Sequence, residues 1–394
     1  MFSDKIVKNL ENSSWIRAMF EEGAKLAKKY GPENVYDYSI GNPYAEPPKE
    51  VFDSLKKHTS DDEKGLHRYM SNAGFVDVRQ KLANKLSEES GVELSHENVV
   101  MTVGAAGALN VTLKSILNPQ EEVILFSPYF VEYGTYIDNV GGKAVVISTD
   151  KKTFEPDLEI LEKSINSKTK AIIINSPNNP TGVIYKEEKL KAMAELLLKK
   201  ERELGIKIYV ISDEPYSRIV YDDVKVPSVL GIFDNAIVVN SYSKSLGLAG
   251  ERIGYIAASS KIENINILMT ALAYCNRTLG FVNAPALFQK VIGDALDAAV
   301  DVNEYKKRRD YLYENLTRLG FDIVKPEGAF YLFPKALIED DVEFVRRAQK
   351  YNLLLVPGSG FGCPGYFRMS YCVKFDMIER SIPAFEKLVA EFKK

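Results

Sequence analysis

The sequence predicts an α/β protein: a mostly parallel central sheet with helices on both faces, plus a smaller α+β domain. Three observations predict it. Between about residues 98 and 258, short β-branched runs alternate with helical stretches, the grammar of βαβ units. Those runs are nearly continuous in apolar residues, as strands buried on both faces must be. After about residue 281 the alternation stops, and a long helical stretch leads into short strands and a last helix.

The elements follow in chain order. A helix from about Trp15 to Lys29 precedes the sheet and is expected to pack on the second unit. The strand candidates are Asn98–Val103, Val123–Phe126, Ala144–Ile147, Ala171–Ile174, Ile206–Ile211 and Ala236–Val239, with helices including Gly107–Leu117 and Glu187–Lys200 between them. A helical region then runs roughly from Ala284 to Arg318. Short strands near Ala329–Phe333 and Tyr366–Tyr371 precede a helix from about Asp376. The expected division is a large α/β domain over 45–280 and a small domain built from 1–44 and 281–394.

A chain of 394 residues suits roughly two or three units of ~150 residues. With 45% hydrophobic and 27% charged residues it reads as soluble and globular,, and large enough to bury a core without disulfides. A net charge of −3 offers no basic face for nucleic acid. The first residues are charged and lack the apolar stretch of a signal peptide, and no run approaches the ~18 apolar residues of a membrane helix. Cys275, Cys363 and Cys372 are widely spaced, and His58, His67 and His96 make no ligand pattern, so neither a disulfide framework nor a metal site is expected. The expectation is a cytoplasmic, metal-free protein with no nucleic-acid or membrane partner.

Ligands of open α/β sheets bind beyond the carboxyl ends of the strands. Five strand ends there carry Gly104-Ala105-Ala106-Gly107, Ser127-Pro128-Tyr129-Phe130, Asn175 through Gly182, Ser212-Asp213-Glu214-Pro215-Tyr216 and Asn240-Ser241-Tyr242-Ser243-Lys244. Small residues, an aromatic ring, an amide, a carboxylate and a lysine thus meet on one rim. They are the complement of an anionic, aromatic ligand that bears a carbonyl.

The set SPNNPTG, SDEPY, SYSK and GERIGY, with GYFRMS near the end, resembles the class I/II aminotransferases, fold-type I pyridoxal-phosphate enzymes. The resemblance spans nearly the whole chain, in the family's order and spacing. It implies pyridoxal 5'-phosphate as cofactor, held as an imine on Lys244. Such a lysine must be unprotonated to attack. Asp213 is implied as partner of the pyridine nitrogen, which keeps the cofactor an electron sink. Tyr216 and Asn179 are implied to bond the phenolic oxygen and Phe130 to stack on the ring, with Tyr129 as the neighbouring alternative. The phosphate falls to the backbone of Ala105 and Ala106 at a helix start, where an anion is favoured, together with Ser241 and Arg252. Ser243 is expected to face the core. Arg368 matches the arginine that grips the substrate carboxylate, a bidentate task, and Gly41 the glycine that lines the substrate pocket. Tyr69 matches a tyrosine that reaches the neighbouring subunit's phosphate, which implies a homodimer with shared sites.

The implied reaction moves an amino group from an amino acid to a 2-oxo acid, with Lys244, Asp213 and Tyr216 at its centre. A carbon–sulfur β-lyase of the same fold is the alternative, and a cofactor-binding regulatory protein a remote one, because the cofactor carries the chemistry and the protein selects the bond. Side-chain preference is open: Arg17 or Arg277 suits a distal carboxylate, whereas Trp15, Tyr44 and Tyr69 suit an apolar or aromatic one.

Overall fold

A computed structural model describes residues 2–11, 15–60 and 64–393; the side chains of residues 8–11, 15–18, 20, 21 and 24 are outside that description. Seven strands form the large sheet: β1 (Val99–Thr102), β2 (Glu122–Ser127), β3 (Lys143–Ser148), β4 (Thr169–Asn175), β5 (Tyr209–Asp213), β6 (Ala236–Ser241) and β7 (Gly254–Ala258). Their order is β1-β7-β6-β5-β4-β2-β3. All neighbours are parallel except β7, which runs antiparallel to both β1 and β6.

Alternation along each strand sends side chains to opposite faces. On β2, Val123 and Leu125 join one core with Leu109 and Leu113 of the Gly104–Ile116 helix, while Ile124 and Phe126 join another with Leu190, Met193 and Leu197 of the Glu187–Leu204 helix. Helices therefore cover both faces, and each fully buried Leu or Ile contributes roughly 1.5–3 kcal/mol.

A third core lies around the three-stranded antiparallel set Val356–Pro357, Phe367–Ser370 and Tyr331–Leu332. Leu312 and Leu316 of the Val302–Leu319 helix and Ile378, Phe385 and Leu388 of the Phe375–Phe392 helix pack there. The early segment reaches this core: Tyr36–Asp37 pairs in parallel with Leu353–Leu354, and Tyr38 shares a 2.7 Å hydrogen bond with Ser381.

Four differences from the expected elements matter. β7 was not among the expected strands; its run of apolar residues carries no mark of its direction. The fifth strand begins at Tyr209 rather than Ile206, because Gly205 takes the left-handed conformation that ends the preceding helix and Ile206 completes that cap,. The shift makes Asp213 the last residue of β5. The expected helical region is broken into Ala286–Asp294 and Val302–Leu319, with Asp301 capping the second helix through the Asn303 N–H at 2.9 Å. The first of these packs on the helices Lys49–Ser60 and Val76–Ser90 of the large-sheet side. The helix expected from Gly107 starts at Gly104, which puts Ala105 and Ala106 in its first turn. Among the described residues no helix is long and apolar enough to cross a membrane, and no group of three or more His, Cys, Asp or Glu could hold a metal ion.

Candidate active site

A cavity of about 290 Å³ opens at the carboxyl ends of β2, β4, β5 and β6. Each expected group arrives there for a local reason. Ser241 ends β6, and a four-residue helical turn, Tyr242–Ser245, lifts Lys244 off the strand. The Lys244 ammonium donates to the Gly41 carbonyl at 2.7 Å and lies 5.5 Å from the centre of the Phe330 ring. Burial lowers its pKa to about 8, and the charges of Arg368 and Arg252 push the same way against Cys372,.

Asp213 ends the neighbouring strand and is 6% exposed. Oδ2 accepts from the Tyr133 hydroxyl at 2.5 Å, while Oδ1 is buried without a partner. Burial raises its pKa to about 7, opposed by the Tyr133 hydrogen bond. Asn175, its register partner on β4, donates to the Asp213 carbonyl at 2.7 Å and accepts from the Asn179 N–H at 2.7 Å. One amide thus ties two cavity residues to one strand end.

Arg368 enters from the antiparallel set and is 2% exposed. Its guanidinium lies between the rings of Tyr331 and Phe361, at 4.8 and 4.9 Å. Nη1 donates to Asn179 Oδ1 at 3.2 Å and Nη2 to the Ser39 carbonyl at 2.6 Å, while Nε is buried without a partner. Burial lowers its pKa. With its carbonyl taken by Arg368, Asn179 faces the cavity as an amide donor. Tyr216 and Tyr331 share a hydrogen bond at 2.8 Å. Burial pushes the Tyr216 phenol far up, with Tyr331 adding to the shift. Gly41 lies against this pair: a Cβ there would stand 2.3 Å from the Tyr331 hydroxyl.

At the opposite end, Ala105 and Ala106 offer the first turn of a thirteen-residue helix. Arg252 flanks it, its Nη1 on the Ala249 carbonyl at 2.8 Å. Gly104 has φ 81°, and a Cβ on it would meet Arg252 Nη2 at 2.8 Å, so glycine is needed for both conformation and space,.

Gly41, Ala105, Ala106, Phe130, Asn179, Asp213, Tyr216, Ser241, Lys244, Arg252 and Arg368 therefore line one cavity. Ser243 lines it too, contrary to the expectation that it faces the core, because the helical turn after Ser241 rotates it back toward the rim. Of the pair Tyr129 and Phe130, it is Phe130 that lines the cavity; the Tyr129 N–H is bonded to the Phe361 carbonyl at 3.1 Å. Tyr69 lies outside, 91% exposed. Arg277 is exposed over the Tyr274 ring at 5.4 Å, and Tyr44 is half-exposed beside Arg308. Trp15 and Arg17 lie outside the described side chains. Tyr133, Tyr136, Asn175 and Tyr331 line the cavity without having been expected. Phe130 lies ahead of the Glu132–Asn139 helix and meets the Tyr133 ring edge-on at 5.5 Å, a contact that no local spacing in the sequence marks.

Comparison with known proteins agrees with this geometry. Residues 33–385 match the family described as aminotransferase class I and II. An aspartate aminotransferase of Thermotoga maritima is 33% identical over 97% of this chain and 96% of its own length. An aromatic-amino-acid aminotransferase of Thermococcus litoralis is 31% identical over 99% of each. A solved structure titled as an amino transferase from Eubacterium rectale superposes with a TM-score of 0.97, at 43% identity and covering 100% of both chains. The chain belongs to the aminotransferase class I and II family, whose fold and pyridoxal-phosphate-dependent type of activity it shares.

Proposed function

We propose that this aminotransferase holds pyridoxal 5'-phosphate in the cavity described above and uses it to move an amino group from an amino acid to a 2-oxo acid. The residues fit the cofactor. Asp213 presents a buried, unpartnered oxygen that suits a protonated ring nitrogen. The helix start at Ala105 and Ala106, with Ser241 and Arg252, suits a phosphate,. Phe130 supplies a ring face, and Asn179 and Tyr216 supply donors for a phenolic oxygen. The observation that carries the reading is the meeting of two tuned groups in one cavity: the Lys244 amine with its pKa lowered to about 8 and the lone Asp213 carboxyl.

When bound, pyridoxal phosphate supplies an aldehyde that takes the amino group and a conjugated ring that withdraws electrons from the substrate Cα. The chain does the rest. Lys244 gives the attachment point and then holds and moves the proton at Cα, a task for which a pKa near the working pH is best. Asp213 keeps a positive charge on the ring nitrogen. Arg368 grips the substrate carboxylate, with its unpartnered Nε ready for a second bond,. The aromatic walls exclude water, so each charge interaction is stronger than in solvent.

In this reading the chain works as two units, 45–280 and 1–44 with 281–394, and the helix Ala286–Asp294 packs back on the first. Lys244 and Asp213 come from the first, Gly41 and Arg368 from the second. Two copies pair, with Tyr69 of each reaching the phosphate end of the other. The exposed Tyr69, Ile267 and Tyr274 side chains support such a contact.

The test is visible absorbance of the cofactor-loaded protein on addition of single amino acids, among them aspartate, glutamate and aromatic ones. A band that disappears with a donor and returns with a 2-oxo acid supports transamination and names the donor. A fixed band with pyruvate and ammonia accumulating from cystathionine identifies the β-lyase instead.

A further inference from the structure

A second polar cavity, about 350 Å³, lies behind the rim that carries Asp213 and Lys244. Its wall includes Glu214, the residue after Asp213, and Tyr242, two residues before Lys244. Glu214 Oε1 accepts from Ser212 at 2.7 Å, and Oε2 has no hydrogen bond among the described residues. Arg218, one turn further on, anchors Nη1 on the carbonyls of Leu296 and Ala298 at 2.5 and 3.2 Å. Its Nε and Nη2 have no hydrogen bond among the described residues. The acid and the guanidinium line one cavity, yet no ion pair among the described residues joins them.

Tyr242 supplies an independent sign. It is 6% exposed, lines the same cavity, and its hydroxyl is buried without a partner. An unmet buried hydroxyl is destabilising, and a ligand atom would meet it. The Arg218 and Glu89 charges both act on this phenol. Tyr255, 6.0 Å away ring to ring, and Ser217 complete the polar wall through Asn240, which donates to both.

We propose that this cavity binds a small zwitterionic amino acid, its carboxylate on Arg218 and the Tyr242 hydroxyl and its ammonium on Glu214. The separation of acid and base suits such a ligand: Arg218 and Glu214 carry no ion pair among the described residues, whereas Lys85 and Glu89 on the same wall pair with each other at 3.9 Å. A guanidinium is the fitting partner for a carboxylate, and a buried carboxyl becomes a good anion only when a cation reaches it. Since Glu214 and Tyr242 sit on the same two strand ends as Asp213 and Lys244, occupancy there bears directly on the active site. The site is separate from the donor site on Arg368.

The experiment is equilibrium dialysis of the cofactor-loaded protein with labelled L-proline, a zwitterion whose secondary amine cannot be transaminated. Proline is expected to bind one equivalent per chain, to keep that site in Arg368→Met, and to weaken about tenfold in both Tyr242→Phe and Glu214→Gln. Tyr242→Phe deletes a hydroxyl that makes no hydrogen bond among the described residues, so it does not threaten folding,. Acetate and methylamine are each expected to compete about tenfold less well than proline, since each meets only half the site. Binding lost in Arg368→Met but unmoved by Tyr242→Phe would place proline in the active site and overturn the proposal. So would no binding at all.

Discussion

The Tyr133 hydroxyl donates to Asp213 Oδ2 at 2.5 Å, with both side chains buried. This bond opposes the burial that raises the Asp213 pKa. It also orients the carboxyl so that Oδ1 stays unengaged. Tyr133→Phe removes a hydrogen bond to a charged group, typically about 1.5–3 kcal/mol, so kcat is expected to fall roughly 10–100-fold. The acid limb of the kcat–pH profile is expected to move to higher pH, because Asp213 then binds its proton more tightly. An unchanged profile would show that Tyr133 does not hold Asp213.

Asp213→Asn separates activity from stability. The folded carboxyl has its pKa raised from 3.8 to about 7. Its contribution to stability is therefore full below about pH 4, is lost as pH rises to about 7, and stays lost above. In the cofactor-free protein at pH 8, removing this lone charge is expected to raise Tm by a few degrees. At pH 4 to 5 the gain should shrink toward zero. In the loaded enzyme, kcat is expected to fall about 10³-fold, the worth of one ion pair. Thermal unfolding at both pH values and steady-state assays check the two halves.

Cofactor uptake reports on Lys244. With its pKa lowered to about 8, about a tenth of the amine is unprotonated at pH 7, against roughly one part in 3,000 for an ordinary lysine. The uptake rate of pyridoxal phosphate by the cofactor-free protein is expected to rise close to tenfold per unit below about pH 8 and to level above it. Stopped-flow absorbance measures this. A rise that continues to pH 10 would contradict the lowered value.

Gly41 and Tyr331 form a steric pair. A Cβ at position 41 would stand 2.3 Å from the Tyr331 hydroxyl. It would also displace the carbonyl that holds Lys244 at 2.7 Å. Gly41→Ala is expected to lower kcat/KM about 100-fold, the usual effect of a ~1 Å misplacement. Tyr331→Phe removes the obstructing oxygen, so the double variant is expected to recover part of that loss. A double-mutant cycle showing simple additivity would refute the steric link.

The parallel sheet was legible because buried strands such as Ala171–Ile174 and Ala236–Val239 read as unbroken apolar runs. Residues ending those strands were legible for the same reason, since a strand's end fixes what reaches the rim. β7 was not, because an apolar run does not reveal its direction. The break at residues 295–301 was missed because helix-forming residues continue around Asp301, and only packing of Val291 and Ile292 on the large-sheet side separates the two helices.

The sequence by itself determined the family, the sheet and the chemical types that meet at its edge: an amine, a carboxylate, a guanidinium and a helix start. Each was marked by a local motif. Only the tertiary structure decided the charge state and reach of those groups. The pKa shifts of Lys244 and Asp213 come from burial, and the residues that cover them, among them Phe330 and Tyr133, stand 80 or more positions away. Arg368 owes its aim to the Ser39 carbonyl and the Asn179 amide. Desolvation and hydrogen bonding depend on what surrounds a group in space, and no local pattern encodes that.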